Sequence, residues 1–196
     1  MKIRFGIDID GTVTCPATIV PYINKSFGLN LTLDDVKQYD LTPLVDISEE
    51  EFAQWWLDNE AEIYANSPLA EGAREVLAQW GKKHELYFIS ARNTHLVELT
   101  KNWFHEHQLK YDHIELIGSH DKVELVKKYK VDIFLEDKHD NAVNIHEQCR
   151  IPVLLFDTPY NRDPVPEGVI RVKNWFEAKL WVDNWLKEIH RHIREA

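Results

Sequence analysis

The sequence predicts an α/β protein built on a doubly wound parallel sheet, with a small helical cap inserted after the first strand. Three observations carry that expectation. From about residue 70 onward, short apolar runs alternate with helical patterns, and such alternation implies a parallel sheet covered by helices. Residues 152–156 are almost wholly apolar, as a strand buried on both faces requires. Between residues 13 and 70, by contrast, no strand pattern occurs. The expected division is a core of residues 1–12 and 71–196, with residues 13–70 as the cap.

The first strand is read from Phe5, Ile7 and Ile9, which alternate with Gly6, Asp8 and Asp10. Side chains along a strand have a period of two, so both carboxylates leave on one face, one pleat apart. Burying acids is costly unless something compensates them. A cation between them would do so; solvated acids at a strand end are the plainer alternative. Gly11 then lets the chain turn sharply and lets a ligand approach.

In the insert, Ile19, Val20, Ile23 and Phe27 give a helix over 17–27, with Gly28 as its C-cap. Thr32 and Asp35 form a capping-box pair. Ser48, followed by Glu49, Glu50 and Glu51, opens a helix carrying Phe52, Trp55, Trp56, Ala61, Ile63 and Tyr64. Beyond it the pattern gives helices over 72–82, 94–107, 121–129 and 141–148. Strands are expected at 85–90, 114–117, 131–135 and 152–156. Residues 157–168, with Pro159, Pro164 and Pro166, form the longest loop. A helix follows from Asn174, and its Trp175, Leu180, Trp181, Trp185 and Ile189 read as core packing.

A chain of 196 residues can build one sizeable core and a small inserted unit. The formal charge of −10 argues against a nucleic-acid polymer as partner, because that binding relies on a basic surface. A small anionic substrate remains possible, given a metal ion or a few well-placed cationic side chains. Cys15 and Cys149 lie far apart in no metal-like spacing, and read as reduced thiols of a cytoplasmic protein. The first strand begins almost at once, leaving no room for a leader. No apolar run approaches the roughly 20 residues of a membrane span.

Ligands of doubly wound sheets bind beyond the C-terminal ends of the strands. The first strand ends at Asp8 and Asp10, and the second at Ser90, followed by Ala91 and Arg92. The strand over 131–135 ends at Glu136 and Asp137, with Asp140 and Asn141 just after. A helix beginning near His120 carries Lys122 in its first turn. The groups that phosphoryl transfer needs thus gather at one edge of the sheet. Each has a plainer reading: Ser90 as a helix cap, Lys122 as a solvated helix lysine, Arg92 as the partner of Glu71 or Asp140.

Asp8-Ile9-Asp10-Gly11-Thr12, Ser90, Lys122 and Glu136-Asp137 resemble, in order and spacing, the four motifs of the haloacid dehalogenase-like (HAD) phosphatases. The resemblance covers nearly the whole chain, and the helical insert is similar to the cap of that superfamily. Within it the chain looks most like the 5′(3′)-deoxyribonucleotidases and related 5′-nucleotidases, including the Glu136-Asp137-x-x-Asp140-Asn141 pattern.

The resemblance implies a Mg²⁺-dependent phosphomonoester hydrolase that works through an aspartyl-phosphate and acts on (deoxy)nucleoside monophosphates. Asp8 is then the nucleophile. Asp10 protonates the leaving oxygen and later activates water. Mg²⁺ would be held by Asp8, Asp137 and the backbone carbonyl of Asp10, with Glu136 in or beside its shell. The phosphate would meet Ser90, Lys122, Gly11, Thr12 and Arg92.

Three departures stand out. Glu136 replaces a second aspartate, Ser90-Ala91-Arg92 replaces Thr-Ser-Pro, and Pro16 stands where those enzymes place an aromatic that helps hold the base. The chemistry survives these changes, whereas base recognition does not follow from them. Cap aromatics such as Tyr22, Tyr39, Trp55, Trp56 and Tyr64 could stack on a base or merely pack the cap. Two alternatives stand beside the nucleotidase: the same chemistry on another small phosphate such as a sugar phosphate, or a catalytically silent binding protein of the same fold. Loss of Asp8, Asp10, Lys122 or Asp137 would favour the silent protein, and none is lost.

Overall fold

A computed structural model describes residues 2–195, with side chains as far as Arg191. It contains one six-stranded sheet: β1 (Arg4–Ile7), β2 (Glu85–Ser90), β3 (His113–Leu116), β4 (Ile133–Glu136), β5 (Val153–Phe156) and β6 (Val169–Val172). The order is β3-β2-β1-β4-β5-β6, and every neighbouring pair is parallel. Parallel neighbours cannot be joined by a tight turn; the connection from β5 to β6 is a helix-free run over residues 157–168, and the other connections, with the segment after β6, carry the helices. In chain order these are α1 (Val20–Phe27), α2 (Thr42–Val45), α3 (Glu49–Ala65), α4 (Ala73–Trp80), α5 (Val97–Glu106), α6 (Val123–Tyr129), α7 (His139–Cys149) and α8 (Trp175–Glu195).

Two apolar layers cover the sheet. On one face Phe5, Ile7 and Phe88 pack with Val76, Leu77 and Trp80 of α4, Trp103 and Phe104 of α5, and Trp175 and Val182 of α8. On the other, Ile89, Phe134, Val153 and Leu155 pack with Val123 and Val126 of α6 and Ala142 and Ile145 of α7. The strand period of two sorts these residues. Gly6 faces the second layer, where a Cβ would lie 2.3 Å from the Phe134 ring, so its hydrogen lets that ring cross β1.

The segment between β1 and α4 is helical apart from its connections, as its lack of strand pattern predicts. Its ends are tied together: Thr14 bridges Leu69, the Cys15 N–H donates to the Pro68 carbonyl at 2.8 Å, and the Ala70 N–H to the Val13 carbonyl at 2.8 Å. The capping box of α3 forms, with Ser48 and Glu51 exchanging bonds of 2.9 and 3.2 Å. The Thr32–Asp35 pair caps only a 3₁₀ turn over Leu33–Asp35.

Several expectations are corrected. β6 was not anticipated, since four residues carrying Arg171 after a proline-rich loop give too short a pattern. α1 starts at Val20 rather than 17, with Pro21 in its first turn. Leu180 is 62% exposed, so it does not join the core that Trp175 anchors, and Ala61 likewise faces solvent. Both cysteines are free thiols, and no helix among the described residues is long and apolar enough to cross a membrane.

Candidate active site

The strand order places a topological switch between β1 and β4, where connections leave in opposite directions and open a crevice. Register decides which residues meet there. Ile7 pairs with Leu135, and the Asp8 N–H donates to the Leu135 carbonyl at 2.9 Å. Asp8 therefore emerges beside Glu136 and Asp137. All three carboxylates are buried, with one oxygen of each lying within 4.8 Å of the others.

Lys122 is 1% exposed and stands just before α6 rather than in its first turn. Its ammonium donates to Asp8 Oδ1 and, at 2.8 Å, to Glu136 Oε2. A solvated lysine it is not. Glu136 also accepts from the Lys138 N–H at 3.2 Å and from Asn141 Nδ2 at 3.4 Å. The Asp137 carboxylate accepts from the Tyr160 hydroxyl at 2.5 Å. Gly11 lies beneath that pair at φ 75°, where a Cβ would come 2.2 Å from Asp137 Oδ2. Positive φ and close approach together require glycine there.

Because the strand ends at Ile7 and the chain is already turning, Asp10 stands outside the three-carboxylate cluster, though it lines the same crevice. Arg92 grips it with two bonds, Nε to Oδ2 at 2.9 Å and Nη2 to Oδ1 at 2.7 Å. The guanidinium is buried, donates to Thr100 Oγ1 at 3.1 Å and lies 4.1 Å from the Tyr64 ring centroid. Its partner is thus neither Glu71 nor Asp140. Ser90 is 1% exposed and accepts the Arg92 N–H at 3.2 Å; α5 begins too far on for it to be a cap. Thr12 lies deeper, fully buried, with no bond to its hydroxyl among the described residues and its carbonyl accepting from Trp175 Nε1 at 2.9 Å.

Asp8, Asp10, Gly11, Ser90, Arg92, Lys122, Glu136 and Asp137 form the floor of a cavity of about 650 Å³, which Thr12 does not line. Its walls come from the inserted segment, with Val36, Tyr39, Phe52 and Trp56 among them. Trp56, whose role the sequence leaves open, lines the cavity and stands edge-on to Tyr64 at 5.8 Å. Trp55 packs on Phe52 and Phe27, each at 5.4 Å.

Charge on the floor is unbalanced. Burial pushes the Asp8 carboxyl up to about 7 even though Lys122 pulls it down. Burial, reinforced by Glu136 and Asp8, also raises Asp137 well above the usual carboxylate range. Lys122 pays for burial too, but Asp8 and Glu136 more than offset this and raise its value. Three buried acids against one ammonium, all with oxygen donors close together, suit a hard divalent cation.

Three positioning residues escaped sequence reasoning. Tyr160 and Asn161 sit in the proline-rich loop, and nothing in that run marks an asparagine as buried. Glu60, 2% exposed on α3, accepts from Asn93 Nδ2 at 3.2 and 3.1 Å and meets His95 Nε2 at 3.3 Å. That contact joins the insert to the loop after β2. A glutamate with Trp56, Leu57, Ile63 and Tyr64 three and four positions away along the helix is the sole signal, and only in retrospect.

Over residues 2–186 the sequence matches the family described as 5′ nucleotidase, deoxy (Pyrimidine), cytosolic type C protein. The chain belongs to this family. A relative carried under a nucleotidase name, BH1399 of Halalkalibacterium halodurans, is 54% identical over 184 residues, covering 94% of each chain. Among solved structures, the haloacid dehalogenase-like hydrolase SP0104 of Streptococcus pneumoniae superposes with a TM-score of 0.65 at 13% identity, covering 94% of this chain and 98% of that one. The HAD-hydrolase YfnB of Bacillus subtilis, in a magnesium-bound structure, gives 0.61 at 9%, covering 93% and 99%. At such identities the likeness shows the HAD fold alone. As a member of the 5′ nucleotidase type C family, the chain is a phosphatase-type hydrolase.

Proposed function

We propose that this nucleotidase-family protein hydrolyses (deoxy)nucleoside monophosphates in a divalent-cation-dependent reaction, Mg²⁺ being the ion of choice, with residues 13–70 acting as its cap. One observation carries the reading. A single cavity joins the carboxylate–lysine floor to apolar and aromatic walls. The floor suits a phosphate, and the walls suit a flat base better than the hydroxyl-rich body of a sugar phosphate. Pro16 lines the cavity where related enzymes carry an aromatic, and Tyr39, Trp56 and Tyr160 offer ring faces in its place.

Asp8 attacks phosphorus and the ester oxygen leaves, giving an aspartyl-phosphate that water then hydrolyses. Asp10 delivers the proton to the leaving oxygen and later takes one from the water; Arg92 fixes where its carboxylate points. Lys122 holds Asp8 and adds positive charge, while Ser90 donates its hydroxyl to the phosphate. Gly11 permits close approach. Thr12, its hydroxyl buried, contributes through its backbone. Asp8, Asp137 and the Asp10 carbonyl would hold the cation, with Glu136 beside them, already occupied by Lys122 and the Lys138 N–H. When bound, the cation neutralises the repulsion between an anionic nucleophile and an anionic ester.

Phosphate release measured across nucleoside monophosphates and sugar phosphates, with and without Mg²⁺, tests this. Mononucleotides are expected to be turned over best and only with the ion. Preference for sugar phosphates would displace the nucleotide reading, and full activity in chelator the metal reading.

The raised carboxyls give a second check. Between the ordinary aspartate range and about pH 7, the folded protein holds a proton on Asp8 that the unfolded chain has lost. Without a cation, this group's contribution to stability therefore falls as pH rises through that window. A divalent ion binds the ionised form. The rise in Tm on adding Mg²⁺ is thus expected to be larger at pH 8 than at pH 5; equal shifts would show that these acids do not hold the ion.

A further inference from the structure

We propose that Tyr160 and Asn161 form a clamp that sets the divalent-cation affinity of the site by fixing Asp137. The inference rests on the reading of Asp137 as a cation ligand, and goes beyond it by assigning two consecutive loop residues to that ligand's control. The clamp holds Asp137 at both ends. The Tyr160 hydroxyl donates to Oδ2 at 2.5 Å, while Asn161 Nδ2 donates to the Asp137 backbone carbonyl at 2.6 Å and to the Phe156 carbonyl at 2.7 Å. Among the described residues, Tyr160 alone donates to the Asp137 carboxylate.

The grip is anchored from behind. Asn161 is fully buried, and its Oδ1 accepts from the Thr158 N–H at 3.2 Å and from Arg171 Nη1, on β6, at 2.9 Å. Arg171 Nη2 also donates to the Asp163 carbonyl at 2.6 Å. From below, the bare Cα of Gly11 closes the space under Oδ2. The carboxylate therefore has one setting. A carboxylate oxygen has two lone-pair directions. One hydrogen bond to Oδ2 fixes the plane of the group while leaving Oδ1 and the second direction of Oδ2 for an ion. A ligand oriented beforehand loses less freedom on binding, and groups that orient metal ligands typically contribute roughly 10–100-fold in affinity.

The test is calorimetric titration of the full chain with Mg²⁺ and with Mn²⁺, without substrate, for wild type, Tyr160→Phe and Arg171→Met. Tyr160→Phe keeps the ring and removes the hydroxyl. Arg171→Met loosens Asn161 without touching Asp137. Tyr160→Phe is expected to bind both ions roughly 10–100-fold more weakly, in protein that circular dichroism shows to be folded without ion. Arg171→Met is expected to shift affinity in the same direction by less. Wild-type affinity in Tyr160→Phe, to within about twofold, overturns the clamp. Should Tyr160→Phe fail to fold, unchanged affinity in Arg171→Met overturns it instead. If wild type itself takes up neither ion, the cation reading of Asp8 and Asp137 falls, and the clamp with it; the wild-type titration separates that failure from the clamp's own.

Discussion

Asp8→Asn is expected to abolish turnover, by on the order of 10⁴-fold or more, while the protein remains folded. The amide has the shape of the carboxylate but lacks the anionic, nucleophilic oxygen that would attack phosphorus. Folding should not suffer. Asp8 is 5% exposed, and its carboxyl is pushed up to about 7 chiefly by burial, so a neutral group there is cheaper to bury than an ionised one. Lys122 keeps Glu136 as a partner at 2.8 Å. Tm without added ion is therefore expected to equal or exceed that of wild type. Chelation should silence the wild-type protein in the same way, and added Mg²⁺ should restore it. Substantial phosphate release from Asp8→Asn, in protein shown folded by circular dichroism, would end the aspartyl-phosphate reading.

Lys122→Met is expected to cost about 3–5 kcal/mol of stability at pH 8, the usual penalty for removing one member of a buried ion pair. The side chain is 1% exposed and bonds two carboxylates that are themselves buried. Methionine fills similar volume, so the loss is electrostatic rather than a cavity. It leaves three clustered acids with no ammonium among them. Protonation of Asp8 relieves part of this: Lys122 holds that carboxyl down in wild type, so without it Asp8 takes up its proton at higher pH, and the variant gains more stability than wild type as pH falls. Urea denaturation at pH 8 and pH 5 checks both points: the deficit relative to wild type should be large at the first and smaller at the second. A deficit independent of pH would mean that Lys122 serves by packing, with little part in balancing charge.

The sequence by itself determined the class of fold and which residues are candidates for the chemistry. Strand–helix alternation needs only local pattern: Phe5, Ile7 and residues 85–90 and 152–156 declare buried strands through their own side chains. The doublet Asp8–Asp10, Ser90, Lys122 and Glu136–Asp137 are legible because each stands at a strand end or helix start in a fixed order. Those signals survive without knowing what lies opposite in space.

Only the tertiary structure decided pairings. Arg92 could have met Glu71 or Asp140 by any sequence argument; the turn after Ile7 hands it Asp10 instead. Lys122 taken alone reads as a surface lysine, and the sequence order that marks it does not say which acids it meets; the register Ile7–Leu135 brings Asp8 and Glu136 to its ammonium. Tyr160 and Asn161 lie in a loop whose composition suggests solvent, yet the β5–β6 pairing folds that loop over Asp137. β6 itself, four residues long, exists because β5 offers a free edge to pair with, a contribution that no four-residue window contains. Side-chain chemistry is local and can be read along the chain, whereas charge balance and hydrogen-bond partners depend on contacts between residues from 14 positions apart, as for Lys122 and Glu136, to 114, as for Lys122 and Asp8, which the register of the sheet and the packing of the helices supply.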